Sequence, residues 1–108
     1  MRSQIKIIDL FAGPGGLGEG FSAYETALAE RPFSIIASVE KEASAHKTLE
    51  LRSFFRKFPK GEAPKAYYQY VRNEIAKEDL YSLYSSQSRS AIKETLFGPQ
   101  ALGQNNYY

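Results

Sequence analysis

Six consecutive residues, Gly13-Pro14-Gly15-Gly16-Leu17-Gly18, constrain the fold of this chain more than any other stretch. A run so rich in glycine suits neither a strand nor a helix interior, because glycine loses the most backbone freedom on ordering. It reads as a tight turn. Before it, Gln4-Ile5-Lys6-Ile7-Ile8-Asp9-Leu10 is a short β-branched run that reads as a buried strand. After it, Phe21, Tyr24, Glu25, Leu28 and Ala29 recur at spacings of three and four, which predicts a helix closed by Arg31-Pro32. Phe33-Ser34-Ile35-Ile36-Ala37-Ser38-Val39 reads as a second strand ending at Glu40. Strand, glycine turn, helix and strand form one βαβ unit, expected to be right-handed with parallel strands.

From Lys41 onward the period is helical. Leu51, Phe54, Phe55 and Phe58 predict a helix over about 42–57 that Pro59 stops. Pro64 suits the first position of a third helix with Tyr67, Val71 and Ile75 as its apolar stripe. Leu80, Leu83 and Tyr84 suggest a short fourth helix, Ser85-Ser86-Gln87-Ser88 a polar linker, and Ala91–Phe97 a last helix stopped by Gly98-Pro99. Gln104–Tyr108 offers no structural signal. The fold class expected is therefore α/β: an opening βαβ over residues 1–58 with its following helix, then a helical insertion over 59–108 in the same domain. Two parallel strands alone leave a sheet incomplete, since parallel sheets are normally buried on both faces. The expectation is a chain that is incomplete or that needs a partner to complete its sheet.

Composition narrows the chemistry. At 108 residues the chain has room for one small core. It contains no cysteine, which excludes a disulfide scaffold, a cysteine-ligated zinc site and a thiolate nucleophile within it. The single histidine, His46, leaves no His-rich metal cluster. A formal net charge of +2 is too small to argue for nucleic acid by itself. No apolar run approaches the roughly 18–20 residues of a membrane span, and no signal-peptide core precedes Asp9, so a cytoplasmic, soluble protein is expected.

A strand that ends in a glycine loop opening a helix gathers free backbone N–H groups and a positive helix end at one spot. An acid at the end of the next strand, here Glu40, can accept both hydroxyl hydrogens of a ribose. Gly13-x-Gly15-x-x-Gly18 also satisfies the dinucleotide fingerprint. The bland alternative is a glycine-rich turn with no ligand. On these grounds a nicotinamide or flavin dinucleotide and S-adenosyl-L-methionine are not separated.

The wider string, Asp9-Leu10-Phe11-Ala12-Gly13-Pro14-Gly15-Gly16-Leu17 followed by Gly20-Phe21, resembles the first motif of the cytosine-5 DNA methyltransferases. Val39-Glu40 resembles their second. The resemblance covers residues 5 to about 47. It implies S-adenosylmethionine as cofactor, DNA as substrate and a restriction–modification setting. It also implies that Phe11 packs on the adenine region, that Ala12, Gly13, Gly15, Gly16 and Leu17 line the methionine end through backbone groups, and that Glu40 takes the ribose hydroxyls. Lys41 would lay its stem along the adenine. Gly18 departs from the Ser or Thr often found there, which removes a possible helix cap. The family's Pro-Cys nucleophile and Glu-Asn-Val motif are absent from these residues, so the chain alone is not expected to methylate DNA. The alternatives are a cofactor-binding subunit completed by a second polypeptide, or a fragment of a dinucleotide-dependent oxidoreductase.

Other residues have both plain and sharper readings. His46 reads as a packing or surface histidine rather than a catalytic one. Tyr67, Tyr68 and Tyr70 read as helix packing rather than a base-stacking patch. Arg52, Arg56, Lys57, Lys60 and Lys65 form either a solvated face or a DNA-holding patch. Asp9 either caps the glycine turn or meets a ligand amino group.

Overall fold

The computed structural model describes residues 4–102. It is α/β, with an open two-stranded parallel sheet and five helices in the order β1 (Ile5–Asp9), α1 (Gly16–Ala23), β2 (Phe33–Ser38), α2 (Ala43–Arg56), α3 (Lys65–Val71), α4 (Lys77–Leu83) and α5 (Ser85–Glu94). The strands pair from Ile5 opposite Phe33 to Asp9 opposite Ser38, with an irregularity between Ile7 and Ile8. Beyond the ladder, the Val39 N–H donates to the Asp9 carbonyl and the Ala12 N–H to the Val39 carbonyl, at 2.8 and 2.9 Å. Those two bonds carry the pairing into the glycine turn. No helix among the described residues is long and apolar enough to cross a membrane.

The expected elements are present, but several boundaries move. The turn is shorter than the glycine cluster: α1 begins at Gly16 and takes Gly16, Gly18 and Gly20 into its body. Gly18 therefore lies past the cap position, which Gly15 holds, and a Ser or Thr at 18 would not cap this helix. The helix also stops at Ala23 instead of running to Pro32. Thr26 explains part of that early end. Its hydroxyl accepts the Leu28 and Glu30 N–H groups, and the Thr26 N–H donates to the Glu30 carbonyl, closing a loop that competes with helix. Leu28, counted in the predicted stripe, is left exposed.

The helical part differs in similar ways. Pro64 is the residue before α3 rather than its first. That helix ends at Val71 because Asn73 turns left-handed, at φ 62°, so Val71 is exposed while Tyr67, Tyr70 and Ile75 pack on the core. The serine run 85–88 is not a linker but the first turn of α5. Ser88 is buried, and its hydroxyl donates to carbonyls of Tyr81 and Ser85, so its polarity is satisfied inside the fold. Helix α5 ends at Glu94 rather than Phe97, where Leu96 and Phe97 adopt φ 60° and 63° and Gly98 φ 145°.

The core lies among the helices. Phe54 and Leu80 are fully buried with Ala91 and Ala66, surrounded by Phe58, Tyr67, Tyr70, Ile75, Tyr81 and Tyr84. Phe54 stacks on Tyr81 at 5.0 Å between centroids and meets Phe58 edge-on at 5.3 Å. Helix α2 joins the two parts. Arg56 pairs with Glu19 of α1 and, at 2.7 Å, with buried Glu94 of α5, which Lys57 also reaches at 2.5 Å. His46 is buried, with Nε2 2.8 Å from the Thr95 carbonyl, so its role is to hold α2 against the end of α5. Of the basic residues Arg52, Arg56, Lys57, Lys60 and Lys65, Arg56 and Lys57 are committed to these internal pairs.

Candidate functional site

The glycine turn brings β1, α1 and the end of β2 to one place. Gly13 and Gly15 have φ of 56° and 100°, a region L side chains rarely adopt. Gly15 is glycine for a second reason: a Cβ there would lie 3.1 Å from Leu49 Cδ1 and 3.6 Å from Arg52 Cδ, both on α2. At Gly13 and Gly16 a Cβ would meet nothing within 4 Å, so those positions open outward and leave the backbone approachable. Among the described residues no side chain caps helix α1, so no side-chain acceptor takes its opening N–H groups at the positive helix end.

Glu40 closes the turn. Its Oε1 accepts the Gly13 N–H at 2.9 Å and its Oε2 the Glu42 N–H at 2.8 Å. The N–H of Glu42 and then that of Gly13 hold this carboxyl below the usual glutamate range. A carboxylate offers about four lone-pair sites, so two remain for hydroxyl donors. The Glu40 carbonyl, meanwhile, accepts the Gln100 N–H at 2.8 Å. Glu40 thus ties together the glycine turn, the start of α2 and the segment after α5.

Phe11, Glu40 and Lys41 line one cleft of about 240 Å³ with Leu10, Val39, Gln100, Ala101 and Leu102. Phe11 is 83% exposed, an aromatic ring held in water at the rim of that cleft. Ala12 is buried beneath the turn, and Gly13 joins the cleft through its bond to Glu40. Gly16 and Leu17 lie apart from Phe11, lining an apolar cleft of about 350 Å³ with Gly20, Phe21, Tyr24 and Phe33. Gly15 faces α2. Asp9 accepts the Val39 N–H through its backbone carbonyl, its carboxylate lies toward α1, where a Cβ at Gly18 would be 3.9 Å from Oδ2, and it is not among the residues lining the Phe11 cleft.

Five lining residues were not expected. Leu10 and Val39 follow from being the last apolar residues before the turn and before Glu40, a signal readable in the strand pattern. Gln100, Ala101 and Leu102 carry no such signal, because they return to the strand ends only after four helices have intervened. No group of histidine, cysteine, aspartate or glutamate among the described residues is arranged to hold a metal ion.

The site is thus a glycine turn latched by a strand-end acid and opening a helix in an α/β unit. Comparison with known proteins makes this specific. Residues 5–82 match the C-5 cytosine-specific DNA methylase family, and the chain belongs to it. It is 38% identical over 66 residues to a type II methyltransferase of Bacillus paralicheniformis, an alignment that covers 61% of this chain and 13% of that protein. The chain thus spans a small fraction of the curated relative's length. No solved structure matches.

Proposed function

We propose that this chain is the S-adenosylmethionine-binding part of a DNA (cytosine-5) methyltransferase that acts within a restriction–modification system. The observation that carries the reading is the Gly13 N–H bond to the Glu40 carboxylate beside the Phe11 cleft, within the family-matched residues. The residues fit the cofactor. Glu40 keeps lone pairs for two ribose hydroxyls. Phe11 and the Lys41 stem offer apolar surface to the adenine, and Lys41 lies on the same cleft. The open backbone at Gly13 and Gly16, with the uncapped start of α1, suits the carboxylate of the methionine end; Ala12, Gly15 and Leu17 complete that stretch. When bound, the cofactor supplies the methyl group.

In this reading the chain's own residues bind and orient, and the nucleophile comes from elsewhere. The chain has no cysteine, so the thiolate the family uses to attack cytosine is not among these residues. Residues other than these 108, in a C-terminal part of the same enzyme or in a complementing methyltransferase polypeptide, would supply it along with DNA recognition. Titration with S-adenosylhomocysteine and with NAD tests the reading. S-adenosylhomocysteine is expected to bind more tightly, and Glu40→Ala to weaken it by about tenfold, the order expected for lost hydrogen bonds to a charged group. Tighter binding of NAD would point to a dinucleotide-dependent oxidoreductase and overturn the proposal.

A further inference from the structure

Resting on the cofactor reading above, we infer that the segment Gln100–Leu102 is the outer wall of the subsite for the cofactor's base, and that the small side chain of Ala101 leaves the room the ring needs there. This segment supplies three residues of the Phe11 cleft although it lies well past residue 82, where the family match ends. The wall is therefore built by the part of this chain that follows the matched region.

The segment is held in place from both directions. Its own Gln100 N–H donates to the Glu40 carbonyl at 2.8 Å, so the wall is attached to the residue whose carboxylate latches Gly13. Upstream, α5 is fixed to α2 by the pairs of Glu94 with Arg56 and Lys57 and by His46 on the Thr95 carbonyl. Between these anchors the chain reverses through Leu96, Phe97 and Gly98, all at positive φ. Two consecutive non-glycine residues in that region are uncommon and persist where surrounding contacts hold them.

The lining chemistry names the ligand class. Leu10, Phe11, Val39, Ala101 and Leu102 give apolar surface, and Glu40 provides an acid at the same cleft. Apolar surface beside a diol-accepting acid suits a flat heterocycle joined to a ribose, that is, a purine nucleoside. At about 240 Å³ the cleft is below the roughly 300–1,000 Å³ of pockets that enclose a whole drug-sized ligand, so it holds part of one. Ala101 has the smallest side chain of the lining residues, so added volume there subtracts most directly from the space left for a ring.

The test is calorimetric titration of the full chain and its variants with S-adenosylhomocysteine and with adenosine, alongside thermal melting without ligand. Ala101→Trp is expected to weaken both ligands by about tenfold or more, and Leu102→Ala by about threefold, with melting unchanged. Should Ala101→Trp melt early, Leu102→Ala decides, since Leu102 is exposed. A wild-type chain that binds both ligands while the variants bind them within twofold overturns the wall and leaves the cofactor reading standing. A wild-type chain that binds neither ligand overturns both.

Discussion

The helical part and the strand part of this chain solve the burial problem differently. Phe54 and Leu80 are fully buried with Ala66 and Ala91 among largely aromatic neighbours of the helical part. In the strands and the residue just past each, Ile5, Ile8, Leu10 and Ile36 are exposed, and Ile35 and Val39 are the buried hydrophobes. The difference teaches where the chain's stability resides. The helices enclose a small core of their own, whereas the strands hold the glycine turn on a sheet whose apolar surface is largely uncovered among the described residues. Arg56, reaching from α2 to Glu19 and Glu94, is what couples one part to the other.

The largest expected effect is in the helical core. Phe54→Ala should cost about 3–5 kcal/mol in chemical denaturation, from lost burial and the cavity left behind. The matching change in the sheet, Ile8→Ala, should stay within about 0.5 kcal/mol, because Ile8 is mostly exposed. Equal losses at the two positions would break the comparison. Next in size is Glu94→Ala, expected to cost about 3 kcal/mol by leaving Lys57 and one arm of Arg56 without their buried partner. A cost near zero would mean that the Glu94 pairs do not hold α2 against α5.

A smaller effect sharpens the account of the turn. Because the Glu40 carboxyl is held below its ordinary value of 4.5, its hold on Gly13 is complete above that value. The hold is lost as pH falls through the lower folded-state value. The Gly13 amide shift, followed by NMR, should therefore inflect below pH 4.5, and the inflection should vanish in Glu40→Gln. An inflection at or above 4.5 would contradict the latch. The smallest change has the opposite sign. Ser53 is buried, with no hydrogen-bond partner for its hydroxyl among the described residues, so Ser53→Ala should stabilise the chain by about 0.5–1 kcal/mol.

The βαβ order and the meeting of the turn with Glu40 were legible because they rest on local signals: β-branched runs, glycines with no alternative, and an acid at a strand end. The misread boundaries share a cause. Leu28 kept a helical spacing that the Thr26 hydroxyl overrode, and Ser85–Ser88 looked like a linker because their polarity hid the carbonyls that Ser88 finds. Gly16 and Gly18 were assigned to the turn on propensity alone, yet α1 includes them. The wall at Gln100–Leu102 was not legible at all. It depends on the path of four helices, and no residue in it announces the Glu40 carbonyl it meets.

The most direct test of the central claim is an NMR titration of the chain with S-adenosylhomocysteine, reading backbone amides. The account predicts saturable shifts concentrated at Phe11, Gly13, Gly16, Leu17, Glu40 and Lys41, with the helical core around Phe54 unmoved. Shifts confined to other surfaces, or no shifts at saturating ligand, would contradict it.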